Sequence, residues 1–216
     1  MAPKLYGIAV SPPVRSVLIC AEALKLPLEF VTVNILAGDQ LKEDFLKKNP
    51  LHTVPVLEDD DGTIIIDSHA ILIYLVSKYK KNDPLYPLDN LKQKIRIDER
   101  LFFEGGTLSH RLGNVQSPLF KGIKPTESTL GLLKEGLGFL EAFLVNNKTK
   151  YIAGNNVTIA DFSIVTTVTC IDNYVPYSQF PQLKAYIERP QKLPWYKVNE
   201  EGNVQLAGFI KSKLES

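Results

Sequence analysis

Every segment of this chain that reads as β-strand lies in its first third, and that asymmetry limits the fold more than any other feature. Residues 4–10 form a short apolar run that suits a buried strand, and it stops at Pro12-Pro13. From Val14 the apolar positions fall at Val14, Val17, Leu18, Ala21 and Leu24, which is helical spacing. Residues 29–34 are β-branched and alternating, so a second strand follows the helix, and strand–helix–strand over some 30 residues has the length of a βαβ unit. After a short helical or irregular stretch over 41–49, residues 54–57 and 63–66 flank the acidic turn Glu58-Asp59-Asp60-Asp61-Gly62, the signature of an antiparallel hairpin. Ser68 then reads as the N-cap of an apolar helix from His69 to Tyr79.

Beyond Lys80 no segment reads as strand. Asn82-Asp83-Pro84-Leu85-Tyr86-Pro87 marks a linker. A charged amphipathic helix is predicted over 90–112 and a second from Thr126, with Leu130, Leu133, Leu137, Leu140 and Leu144 in one stripe despite three glycines. Thr158-Ile159-Ala160-Asp161 has the form of a capping box, Asp standing in for Glu, and shorter helices follow over 181–188 and near the C-terminus. The expected organisation is an α/β domain over residues 1–80, a linker over 81–89 and an all-α domain over 90–216.

Composition removes several function classes. Lys and Arg total 25 against 24 acidic residues, so the basic excess of a nucleic-acid binder is missing. No apolar run approaches membrane-spanning length, and Met-Ala-Pro-Lys-Leu-Tyr-Gly lacks the apolar core of a signal peptide, so the mature chain is expected to start near Met1. Two cysteines, Cys20 and Cys170, each inside an apolar helix, read as core residues of a protein in a reducing, cytoplasmic compartment. His52, His69 and His110 offer neither an i, i+4 pair nor a neighbouring cysteine, so no metal site is expected and each reads as a hydrogen-bonded or surface residue. G-x-S-x-G, the P-loop and G-x-G-x-x-G are all absent. Trp195 reads as an anchor for the C-terminal helix.

Three segments carry candidate chemistry, and each has a plainer reading. Ser11-Pro12-Pro13-Val14-Arg15 starts the first helix; Ser11 is either a simple cap or a hydroxyl aimed, with the helix N-terminus, at an anion such as a thiolate. In Asn49-Pro50-Leu51-His52-Thr53-Val54-Pro55-Val56-Leu57, Pro55 is either an ordinary strand-edge proline or a cis residue that exposes the Val54 backbone to an extended ligand. Asp67-Ser68 either caps a helix or also holds an amino-acid zwitterion, the hydroxyl and N–H on its carboxylate and Asp67 on its amine.

In this order, followed by the proline-bearing linker, an all-helical half and Thr-Ile-Ala-Asp-Phe, these segments resemble the cytosolic glutathione transferases over essentially the whole chain. Ser-Pro-Pro-Val-Arg, Leu-Ala-Gly-Asp-Gln-Leu-Lys and Asp-Ser-His-Ala-Ile-Leu-Ile-Tyr-Leu are similar to the insect epsilon class, with delta as its neighbour. The resemblance implies a thioredoxin-like N-terminal domain and a helical C-terminal domain, usually as a homodimer. It implies a serine-type, detoxifying transferase whose co-substrate is glutathione and whose other partners are small hydrophobic electrophiles. Where thioredoxin-like redox enzymes carry C-x-x-C this chain has Ser11-Pro12-Pro13-Val14, which precludes dithiol exchange there. By the same likeness Ser11 is the catalytic hydrogen-bond donor to the glutathione sulfur. Glutathione would further meet Leu36, Gln40, His52, Thr53, the Val54 backbone beside cis Pro55, Asp67, Ser68 and Arg111. The electrophile would lie between the domains against Pro13, Leu36, Leu112 and Phe120. The runner-up reading is a non-catalytic or specialised binding protein for glutathione or apolar ligands on the same fold.

Overall fold

The computed structural model describes residues 2–215; the expected start at Met1 and the last residue of the 90–216 unit lie outside the described residues. The N-terminal part runs β1 (Lys4–Gly7), α1 (Pro12–Leu24), β2 (Glu29–Thr32), α2 (Glu43–Leu46), β3 (Val56–Glu58), β4 (Ile64–Ile66) and α3 (Ser68–Tyr79). Its sheet has the order β2-β1-β3-β4. Strand β2 is parallel to β1, whereas β3 is antiparallel to both β1 and β4. This is the thioredoxin-like arrangement of a βαβ unit followed by ββα. Strand β1 stops three residues short of the expected 4–10 because the chain turns, Ser11 N–H donating to the Ile8 carbonyl. Gly7 closes the strand where α1 crosses it, and a methyl group there would lie 2.7 Å from Val14 Cγ2.

The rest of the chain is helical: α4 (Leu91–Phe103), α5 (His110–Phe120), α6 (Glu127–Asn147), α7 (Ile159–Ile171), α8 (Pro181–Glu188) and α9 (Tyr196–Glu215). The helix expected over 90–112 is two helices joined by one wide π turn, Glu104–Ser109, and it runs on to Phe120 with Pro118 in its last turn. The expected stripe on α6 is buried at Leu133, Leu137, Leu140 and Leu144 and capped by Thr126. Helix α7 is buried along its whole length, the signature of a core helix. One continuous core runs from Leu5 and Leu72 of the sheet domain through Ile164 of α7 to Leu206 of α9, so the two halves share an interior. Cys20 and Cys170 are both fully buried in it, and burial pushes the Cys170 thiol up to about 12. Trp195 is buried edge-on against Phe162, ring centroids 5.0 Å apart. No helix among the described residues is long and apolar enough to cross a membrane.

Candidate active site

Strand register gathers the candidate residues. Tyr6 pairs with Val56 and Val56 with Ile66, while Gly7 pairs with Thr32. The end of β1, the end of β2, the start of β3 and the end of β4 therefore lie side by side at one edge of the sheet. The loops leaving that edge carry Ser11, Leu36 with Gln40, His52 to Pro55, and Asp67 with Ser68. Four stretches up to 57 residues apart in sequence become one surface.

Ser11 occupies the N-cap of α1 with extended backbone (ψ 124°), and its hydroxyl makes no capping hydrogen bond nor any other among the described residues. Pro12 and Pro13 fill the first two helical positions, so neither has an N–H for the hydroxyl to accept. The hydroxyl is thus left as a donor beside the positive end of a helix. On the next loop the Val54–Pro55 peptide is cis, and Val54 makes no backbone hydrogen bond among the described residues. Its loop is ordered from beneath by Asn49, which is fully buried. Asn49 Nδ2 donates to the Thr53 carbonyl (2.8 Å) and Thr53 Oγ1 (3.1 Å), and Asn49 Oδ1 accepts from Leu51 N–H. His52 sits above it, exposed, with φ 48°.

At the fourth loop the structure corrects the assignment of the cap. Asp67, not Ser68, is the N-cap of α3; Asp67 Oδ1 accepts from the N–H groups of His69 (2.9 Å) and Ala70 (3.2 Å). Ser68 is the first helical residue. Asp67 Oδ2 and the Ser68 hydroxyl have no partner among the described residues, so capping leaves a carboxylate oxygen and a hydroxyl facing the same edge. On the β2 loop Asn34 Oδ1 accepts from the N–H groups of Leu36 and Ala37, and Gln40 Oε1 is buried without a hydrogen-bond donor among the described residues.

An apolar cavity of about 160 Å³ opens beside these loops, lined by Ile8, Val10, Ile35, Leu36, Phe120, Leu206 and Phe209. Two of the expected electrophile contacts, Leu36 and Phe120, are on it. Pro13 and Leu112 are not. Pro13 is in the first turn of α1, its carbonyl taking the Ser16 hydroxyl, and Leu112 points into the helical core, only 4% exposed. The wall that sequence reasoning missed comes from α9, 86 residues beyond Phe120, and no local pattern marks Leu206 or Phe209 as facing a cavity. Arg111 is a second departure: its guanidinium donates to the Leu132 carbonyl and to Glu135 Oε2, both 2.7 Å away, so it braces α5 on α6 rather than reaching the sheet edge.

His69 extends the site inward. Its Nε2 lies 2.7 Å from Glu104 Oε2 and 2.8 Å from Ser163 Oγ, and Glu104 also accepts from the hydroxyls of Ser109 and Thr167. Burial opposes charge on both partners, but the hydrogen bond and the opposite charges outweigh it: the His69 imidazole is raised and the Glu104 carboxyl lowered from their ordinary values. The expected hydrogen-bonded reading of His69 holds. The sequence signal that was passed over is Glu104-Gly105-Gly106, an acid and two glycines inside an amphipathic helix, where the helix widens.

Comparison with known proteins adds independent findings. Residues 5–83 match the family model described as the glutathione S-transferase N-terminal domain, and residues 124–198 match that of its C-terminal domain. The chain is 40% identical to "Glutathione S-transferase 1" of Manduca sexta over 99% of its own length and 100% of that protein. It superposes on an epsilon-class glutathione S-transferase from the housefly, Musca domestica, with a TM-score of 0.92 at 47% identity, covering 98% of each chain. A glutathione transferase homologue from Drosophila mojavensis with bound glutathione gives a TM-score of 0.92 at 42% identity, covering 98% of this chain and 97% of that one. With whole-length identity of this size, an unengaged helix-cap serine at the shared sheet edge and an apolar cavity beside it, the chain belongs to the glutathione S-transferase family.

Proposed function

We propose that this transferase is of the serine type, with Ser11 donating a hydrogen bond to the glutathione sulfur and holding it as the thiolate that attacks a hydrophobic electrophile. The observation that carries the reading is the Ser11 hydroxyl itself, without a hydrogen-bond partner among the described residues at the start of α1. Lowering a thiol pKa from about 8.5 to about 6.5 takes roughly 2.7 kcal/mol. One hydrogen bond to a charged sulfur contributes about 1.5–3 kcal/mol, and the helix N-terminus adds a few tenths to about 1 kcal/mol. The hydroxyl stabilises the thiolate and forms no covalent bond.

The remaining groups fit the length of a tripeptide laid along the sheet edge. The Val54 backbone would pair with the cysteinyl residue, Asp67 Oδ2 with the γ-glutamyl ammonium, and the Ser68 hydroxyl and N–H with its carboxylate. His52, Thr53 and the Gln40 side chain would face the glycyl end. The homologue solved with glutathione supports this co-substrate. The cavity walled by Leu36, Phe120, Leu206 and Phe209 would take the electrophile by apolar burial, and conjugation, substitution or dehydrohalogenation then follows from proximity of thiolate and reacting carbon. We place the glutathione-binding part at residues 1–80, the connector at 81–89 and the electrophile-binding part at 90–216, in a cytoplasmic protein. The partner subunit would be a second copy: Leu91, Ile95 and Phe102 form one stripe along α4 and are 69%, 54% and 79% exposed, an apolar surface that a lone chain would leave in water.

The test is a conjugation assay with glutathione and an aryl halide on wild type and Ser11→Ala, with the thiolate absorbance of bound glutathione titrated against pH. Activity at least tenfold lower in the variant, with the thiolate pKa rising toward about 8.5, is the expected result. Turnover unaffected by the substitution removes Ser11 from the mechanism. Glutathione binding without turnover on halide or aldehyde probes favours the carrier reading.

A further inference from the structure

Ser11 is held from the front by its own turn, its N–H on the Ile8 carbonyl (3.0 Å) and its carbonyl taking the Arg15 N–H (2.9 Å). What holds that turn from behind is α9. Gly202, buried in the middle of α9, lies directly against it: a methyl group on Gly202 would sit 2.4 Å from the Ala9 carbonyl oxygen and 2.6 Å from Arg15 Cδ. A gap under 3.0 Å against backbone cannot be absorbed by a side-chain rotation, so any residue larger than glycine must push helix and turn apart. Arg15 completes the contact. Its side chain is fully buried, forms no ion pair among the described residues, and reaches α7 through one bond, Nη2 to the Thr166 carbonyl at 3.2 Å. One turn before Gly202, Asn199 is also fully buried and ties α9 to α7 through Thr169 Oγ1 (3.2 Å). Helix α9, remote from the sheet edge in sequence, is therefore the floor beneath the Ala9–Ser11 turn, and one and two turns further on its Leu206 and Phe209 wall the apolar cavity.

We propose that Gly202 is a positioning residue for Ser11: the bare helix backbone at this point seats the Ala9 carbonyl and the Arg15 side chain, and so sets where the Ser11 hydroxyl points. The inference rests on the serine-type reading above. It makes a distinct demand, namely that a residue touching neither glutathione nor electrophile tunes the thiolate. A displacement of a few tenths of an ångström in a hydrogen-bond donor weakens its hold on the charged sulfur while leaving the rest of the tripeptide's contacts in place.

The experiment compares full-length wild type, Gly202→Ala, Ser11→Ala and, as control on the same helix, Gly208→Ala, where a methyl group meets nothing within 4 Å. Each is measured for its thermal midpoint, the pH titration of bound glutathione thiolate, and kcat and KM for glutathione with an aryl halide. Gly202→Ala is expected to raise the thiolate pKa by about half to one unit and lower kcat about three- to tenfold, with KM for glutathione within about twofold of wild type. Gly208→Ala should match wild type in thiolate pKa, kcat and KM. A folded Gly202→Ala protein with wild-type thiolate pKa and kcat overturns the proposal. Should that variant not fold, Arg15→Lys decides: it keeps the buried charge but gives up the fork that braces the side chain between α7 and Gly202. A raised thiolate pKa then supports positioning by packing, and an unchanged one overturns it. If Ser11→Ala itself leaves the thiolate untouched, the serine-type reading fails as well; if it shifts the thiolate and Gly202→Ala does not, only the positioning role fails.

Discussion

Helices α1 and α7 both open on a hydroxyl residue at the N-cap with extended backbone, yet the two hydroxyls meet opposite surroundings. At α7 the cap is closed. Thr158 donates to Asp161 Oδ2 through both its N–H (2.7 Å) and its hydroxyl (2.9 Å), while Asp161 Oδ1 accepts from Ile152 N–H (3.0 Å) and the Tyr186 hydroxyl (2.9 Å). Every group is buried, and the carboxylate ties α7 to α8 and to the preceding loop. At α1 Pro12 and Pro13 remove the N1 and N2 donors, the N3 residue is Val14 with no carboxylate to close a capping box, and Ser11 stays unengaged among the described residues. Helix α3 is intermediate: one oxygen of Asp67 caps, the other does not, and His69, the second helical residue, is locked to Glu104. A helix start whose polar groups satisfy one another contributes stability. One whose groups are left open contributes binding, at the cost of a cap worth about 1 kcal/mol.

The comparison breaks most decisively at Asp161. Asp161→Ala strips the partners from two buried N–H groups and two hydroxyls and is expected to cost about 3–5 kcal/mol, read as a lowered midpoint in chemical denaturation, while the protein that remains folded keeps its thiolate pKa. Ser11→Ala is the mirror image. It should lower kcat/KM at least tenfold and leave the denaturation midpoint within about 0.5 kcal/mol of wild type, because the hydroxyl holds nothing in the fold. A loss of stability in Ser11→Ala comparable to that in Asp161→Ala would erase the distinction.

The intermediate helix start gives a pH test. The His69 imidazole is raised above its ordinary value of about 6.5, so its pairing with Glu104 stabilises the fold fully below about pH 6.5 and is lost as the pH climbs through the raised value. Glu104 is lowered below 4.5, so its contribution is present above that pH and lost only as the medium falls through the lowered value. The pair therefore contributes most between about pH 4.5 and 6.5. Thermal midpoints taken from pH 6 to 8.5 should decline in wild type and stay flatter in Glu104→Gln, which is expected to lose about 1–2 kcal/mol at the acid end. Parallel profiles would show that this pair does not govern the decline. The smallest effect is Thr158→Ala, which removes one of the donors on Asp161 and should cost about 1 kcal/mol with activity per folded molecule unchanged.

Much of this was legible in the chain. The four strands, the helices flanking them and the strand-free second half follow from periodicity and turn residues, which act over a few positions and survive in any tertiary context. The prolines after Ser11 announce an unusual helix start in the same local way. What failed locally failed for local reasons: Ser68 and Asp67 are adjacent, and only the left-handed backbone at Asp67 (φ 72°) decides which of them caps. The π turn at Glu104 was hidden because an acid on an amphipathic helix looks solvated until its partners His69 and Thr167 arrive from 35 and 63 residues away.

By itself, then, the sequence determined the fold class, the serine at the first helix start and the polar segments of the sheet edge, since each is written in neighbouring residues. Tertiary structure alone decided which of those groups stay open and what surrounds them. Strand register brought four loops to one edge, packing sent Leu112 inward and Arg111 onto α6, and the approach of α9 put Leu206 and Phe209 on the cavity and Gly202 beneath Ser11. Those outcomes depend on where distant backbones meet, and close packing across a shared core is a property of pairs of segments that neither segment carries alone.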